Sequence, residues 1–158
     1  MKLTENRSFV RFVRRIVAWP NRRPSFEPLS NWMMRKIAKI AMKKAVTKRG
    51  STLDEICEQW KGASPPMADY RVIAIKDGTA HAEIHSECAL RGTGDIGACY
   101  RMMEYDREIL RKAGGELVIL ESQASPGRIF CRVAIRHQGA AMDDLTPAHL
   151  TSATSELP

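Results

Sequence analysis

The sequence predicts an α+β fold in which N-terminal helices precede a ββαββ unit on an antiparallel sheet, with a disordered C-terminal tail. Three observations carry that reading. Apolar residues recur every three to four positions up to about residue 62, but every second position from residue 69 onward. Each of two period-two blocks is folded at a turn signal, Asp77-Gly78 in the first and Ser125-Pro126-Gly127-Arg128 in the second. Between the blocks lies GACYRMMEYDREILRKAGG, residues 97 to 115, helical in period and closed by two glycines.

The elements follow in order. Residues 6–19, NRSFVRFVRRIVAW, set Phe9, Val10, Phe12, Val13, Ile16 and Val17 against Arg7, Arg11, Arg14 and Arg15, a basic amphipathic helix that Pro20 should end at Trp19. PNRRPSFEP then reads as a linker, so that residues 1–27 form a helix and linker ahead of a single α+β domain over 28–137. A second helix is expected from Leu29 to Arg49, with Trp32, Met33, Ile37, Ile40 and Ala41 as its apolar residues, packed on the sheet with its basic side in water. Thr52 and Glu55 have capping-box spacing and start a third helix that turns Ile56, Cys57 and Trp60 inward.

Asp77-Gly78 then joins two strands, because its turn type wants positive φ at both central residues. Thr93 or Asp95 caps the central helix, whose stripe of Ile96, Cys99, Met103, Leu110 and Ala113 places the carboxylate of Asp106 on the core side. ELVILESQ and IFCRVAIRH make the second hairpin. Residues 138–158, rich in Ala, Ser, Thr and Asp, read as the disordered tail.

At 158 residues the chain holds one ordinary domain with additions. No apolar run approaches the roughly 20 residues that span a bilayer, and no leader with a small-residue cleavage site is visible; the expectation is a cytoplasmic protein, with a peripheral place on a membrane as an extension of that. The four cysteines include no CxxC pair and are expected to be reduced. The net charge of +7 is divided: residues 1–50 hold 14 Lys and Arg against Glu5 and Glu27, whereas the rest hold 11 basic and 16 acidic residues. Such a field recruits an acidic protein partner or an anionic membrane surface through residues 6–49. Nucleic acid fits less well, since no recognition motif is present and the apolar face of the first helix is wide.

Chemistry could reside in three groups. Cys99, in the first turn of the central helix, Cys131 on the last strand and Glu121 on the strand beside it, with Cys88 near, form a thiolate and carboxylate set that suits zinc; the same residues also read as core filler, with Glu121 paired to Arg132. His81, Glu83 and His85 share one strand face, either as ligands or as a solvated edge, and their spread of about 13 Å strains any single ion. Of these His85, near Cys88, is the candidate base or ligand. Asp106 either meets Arg101, Arg132 or Arg136, or lines a pocket as a general acid or base, or lies where the stripe drifts to solvent.

The segment from His85 to Ile135 resembles the L-2-amino-thiazoline-4-carboxylic acid hydrolase family and its relatives with a 4-vinyl reductase domain. CALRGTG with Cys88, GACYRMMEYD with Cys99 and Asp106, the Gly114-Gly115 stop and PGRIFCRVAI with Cys131 carry the resemblance. It implies a small-molecule pocket between helix and hairpins. At one end of the family range it implies hydrolysis of a cyclic C=N bond, with Cys99 as nucleophile or metal ligand, Asp106 as general acid or base and His85 as base or ligand. At the other end it implies binding without chemistry, as in a non-catalytic accessory or sensor protein, which the basic amphipathic N-terminal helix would dock on a larger complex or membrane. Zinc on Cys99, Glu121, Cys131 and Cys88 is the cofactor so implied, although Gln123 stands where the pattern calls for a further cysteine.

Overall fold

A computed structural model describes residues 16, 18–46, 48–65 and 68–151. The α+β architecture is as expected: a four-stranded antiparallel sheet with helices. After a 3-10 turn at Pro24–Phe26 come α1 (Glu27–Ala45), α2 (Leu53–Gly62), β1 (Tyr70–Lys76) and β2 (Thr79–Ile84). There follow α3 (Ile96–Met102), α4 (Glu104–Ala113), β3 (Gly115–Glu121), β4 (Cys131–His137) and the short α5 (Ala148–Thr151).

The sheet order is β1-β2-β4-β3, so each hairpin stays local and the two meet along β2 and β4. The first turn has the required backbone, with φ of 51° at Asp77 and 69° at Gly78. Period two sends Ala80, Ala82 and Ile84 of β2 and Cys131, Val133 and Ile135 of β4 to the covered face. Against them lies α2, through Ile56 and Trp60, while α4 covers the neighbouring β3, with its Ile109 and Leu110 fully buried like Ile56 and Trp60. Burying each of these Ile and Leu side chains contributes roughly 1.5–3 kcal/mol. The α2 cap is as expected: Glu55 N donates to Thr52 Oγ1 at 3.3 Å, and the Glu55 carboxylate reaches back to Ser51 N at 2.7 Å.

α1 differs from expectation in both its face and its neighbours. It packs chiefly on α4 and α3 and forms an outer layer. The face it buries is Ser30, Met34, Ala38 and Met42, whereas Trp32, Ile37 and Ile40 are exposed. Small residues at 30 and 38 allow close approach to α4, and Arg35 Nε on Glu104 Oε1 at 2.6 Å with Lys39 Nζ near Glu108 Oε1 at 3.9 Å set the rotation.

The basic helix expected over 6–19 lies almost wholly outside the described residues. Its end does not fall at Trp19: helix continues through Pro20 to Asn21. Tertiary contacts outweigh the bias against helix before proline, because Ala18 is buried and Arg101 Nε donates to Asn21 O at 2.7 Å, with Ser30 Oγ on Asn21 Oδ1. That anchoring also makes the expected linker a fixed entry into α1.

Two further corrections concern continuity. The central helix is broken at Met103, where α3 ends and α4 begins, and Arg107 Nη2 donates to the Tyr100 carbonyl at 2.8 Å beside the break. The tail expected from residue 138 is ordered as far as Thr151. Arg136 holds Asp144 through paired contacts of 2.6 Å, Ala148 is buried, and the His149 ring lies 4.0 Å from that of Tyr100. Residues 152–158 lie outside the described residues.

Candidate functional site

A cavity of about 270 Å³ opens between α1, the α3–α4 break and the ends of β2 and β4. Met34 and Ile37 of α1 form one wall, and Met102, Met103 and Tyr105 form another around the break. Ser86, Glu87, Cys88 and Ala89 close a third side, while Cys99, Gln123 and Cys131 form the floor toward the sheet. The lining is predominantly apolar; of its two acids Glu87 is exposed at the rim and Asp106 is buried at the inner end.

Asp106 sits on the core stripe as its spacing predicts, and is 4% exposed. Of the readings open to it, it lines the pocket and bonds none of Arg101, Arg132 and Arg136; its partners are two neutral donors, Trp60 Nε1 at 2.8 Å and Tyr70 Oη at 3.1 Å, both on Oδ1. The two rings are themselves in contact, with centroids 4.6 Å apart. Burial pushes the Asp106 carboxyl up to about 6, more than the two donors pull it down. Burial also raises Tyr70 well above its usual range, and the neighbouring Asp106 charge adds to this. Tyr105, raised to about 12 first by burial, is tied by its hydroxyl to Ala63 O at 2.8 Å and so holds its ring against the cavity.

The cysteines converge as the stripe and strand patterns anticipated, but their roles are redistributed. Cys88, Cys99 and Cys131 all line the cavity. Cys99 donates its thiol proton to Cys131; that bond, with burial second, raises Cys99 well above the ordinary thiol range. Cys131 is lowered, first by the bond from Cys99, and its sulfur also accepts from Gln123 N at 3.3 Å. The readier thiolate of the pair is therefore Cys131, not Cys99 at the start of α3. α3 has only seven residues, and its Asp95 side chain already takes Ala98 N at 2.7 Å.

Two expected participants stand elsewhere. His85 does not line the cavity: it bonds Glu83 Oε2 at 2.8 Å and stacks on Phe130 at 4.8 Å, on the outer face of the sheet. Of the two readings of Glu121, as a ligand beside Cys131 or as the partner of Arg132, the structure has the second: the register shifts between Ile119 and Glu121, and this bulge turns it outward opposite Arg132. It pairs there with Arg128 at 2.9 Å and Arg132 at 3.4 Å. The zinc site implied by the resemblance does not fit this arrangement: Glu121 points away, Gln123 replaces a thiol, and no group of three potential metal ligands forms among the described residues.

Gln123 was seen in the sequence only as a missing cysteine. In the structure it is the clasp of the site. Its Nε2 donates to Ile84 O at 3.0 Å and Ser86 O at 2.9 Å, and its Oε1 accepts from Cys88 N at 3.3 Å and Arg91 Nε at 2.8 Å. The loop after β2 is thereby fixed as the cavity rim. Trp60 and Tyr70 were likewise missed as site residues, because an indole at a core spacing and a tyrosine opening a strand carry no signal of a shared acceptor 36 to 46 residues away.

Compared with known protein families, curated proteins and solved structures, the chain finds no match.

Proposed function

We propose that the protein binds a small, mostly apolar molecule carrying a basic nitrogen, held with that nitrogen toward Asp106. The observation that carries this reading is a buried carboxyl, pushed up to about 6 by burial, at the inner end of a predominantly apolar cavity whose other acid, Glu87, is exposed. A cation or strong donor placed there supplies the partner that the carboxylate lacks, since its two protein donors are both neutral. The size is consistent: an apolar cavity of roughly 150 Å³ accepts benzene, so about 270 Å³ takes a molecule of one to two rings. The resemblance to hydrolases of cyclic C=N bonds points to the same ligand chemistry.

Paired probes test this. Benzamidine should bind at pH 7 at least about tenfold more tightly than neutral benzamide, a difference of about 1.4 kcal/mol, and Asp106→Asn should erase the preference. Equal affinity for the two probes, or no saturable binding of either, would overturn the proposal.

One observation favours a catalytic version of the same site: the Cys131 sulfur at the cavity floor accepts from Gln123 N at 3.3 Å, a contact that favours its thiolate. In that version the Cys131 thiolate, not Cys99, adds to the carbon of a protonated C=N group, whose π electrons pass to the nitrogen, and water then replaces the sulfur at that carbon, its proton returning to the released thiolate. Cys131→Ser would then abolish turnover of a cyclic amidine while leaving benzamidine affinity within about twofold, roughly 0.4 kcal/mol.

A further inference from the structure

α1 is apolar on two sides, and only one of them is accounted for by the fold. Met34, Ala38 and Met42 are buried against the body, whereas on the opposite side Leu29, Trp32 and Ile40 are 54%, 58% and 71% exposed. These three share one face at helical spacing, with Lys36 between Trp32 and Ile40 and Lys43 one turn beyond. At the start of the helix Trp19, 56% exposed, lies 6.1 Å from Phe26, and the Arg23 guanidinium sits 5.2 Å over the Trp19 ring. Residues 16–46 hold seven Lys and Arg against the single acid Glu27. Arg35 and Lys39 turn toward Glu104 and Glu108 of α4, while Lys36 and Lys43 are exposed.

We propose that this outward face of α1, with the segment leading into it, docks on an anionic lipid bilayer. Charge complementarity requires an acidic partner, and the distribution of the cations within the stripe selects a lipid surface over a protein groove. A helix received by a protein groove presents an unbroken apolar stripe. Here Lys36 lies in the middle of the stripe, its ammonium 5.7 Å from the Trp32 ring centroid, and would be desolvated in such a groove. At a bilayer interface the same lysine extends its stem along the apolar surface and leaves its charge among the headgroups. Trp32, Leu29 and Ile40 meanwhile enter to a depth of about 5–10 Å. The exposed surface is the convex outside of a helix, which a deformable interface accepts without a preformed cleft. The sequence before it continues the mixture, with Phe9, Val10, Phe12 and Val13 among Arg7, Arg11, Arg14 and Arg15.

Flotation of the full chain with vesicles decides the question. Vesicles of phosphatidylcholine with about 30% phosphatidylserine should carry the protein, whereas pure phosphatidylcholine should carry at least tenfold less, and 0.5 M NaCl should release most of it. The double variant Trp32→Glu/Ile40→Glu should lose at least tenfold in binding with an unchanged thermal melt, since both positions are exposed. Lys36→Glu/Lys43→Glu should do the same. Failure to float with anionic vesicles, or flotation indifferent to both double variants, overturns the proposal. So does capture by soluble polyglutamate that depends on Trp32 and Ile40 in the absence of vesicle binding, which would assign the face to an acidic protein.

Discussion

Asp106 illustrates how one buried group makes stability depend on pH. Its ordinary value is 3.8 and its folded value about 6. Between these limits the unfolded chain has released the proton while the folded chain keeps it, so stability falls as pH rises through that window and levels off above it. Asp106→Asn should flatten the dependence and raise stability at pH 7 by roughly 1–3 kcal/mol, the relieved burial less the cost of a new amide donor; urea titrations at pH 4, 5, 6 and 7 would show it. Gln123 has the opposite character, with a side chain fully used. Gln123→Ala strands the Ile84 and Ser86 carbonyls and should cost about 3 kcal/mol. Thiol labelling of Cys88, on the loop that Gln123 clasps, should accelerate in the same variant. Spacing placed Asp106 and Cys99 on the core side correctly. Their partners were illegible, because Trp60, Tyr70 and Cys131 reach them only after three separate elements have packed.

At the scale of elements, what could be read was whatever is decided within a few residues. Asp77-Gly78 specified its hairpin, Thr52 and Glu55 their helix start, and Gly114 its helix stop, at φ of 98°. Gly114→Ala should therefore cost about 1–2 kcal/mol, seen as a lower urea midpoint at unchanged slope. What escaped reading was decided between elements. The rotation of α1 depends on Glu104, which contacts Arg35, Arg107 and Arg111. Burial alone would raise that carboxyl, but the Arg35 and Arg107 hydrogen bonds outweigh it and hold it below its usual value. Its contribution is thus present at neutral pH and lost as pH falls below the normal carboxylate range. The break at Met103 and the bulge before Glu121 belong to the same class: each interrupts a sound local pattern where a cavity wall or sheet edge requires it.

For the molecule as a whole, the C-terminal segment acts as a strap. It runs from Arg136 through Asp144 to His149, which packs on Tyr100 beneath the Arg107 guanidinium, 4.2 Å above that ring. Ending the chain at residue 140 should lower the melting temperature by a few degrees and leave the sheet intact by far-ultraviolet circular dichroism. The strand order has a kinetic consequence as well. Each hairpin closes over short stretches of chain, but the central β2–β4 seam pairs Ala82 with Val133, fifty-one residues apart by number, across the whole of α3 and α4. The loop closed by that seam is the expensive one in chain entropy. Assembly therefore waits on a collision between two preformed halves, and a change at the Asp77-Gly78 turn, already made in each encounter, should slow refolding and leave the unfolding rate nearly unchanged.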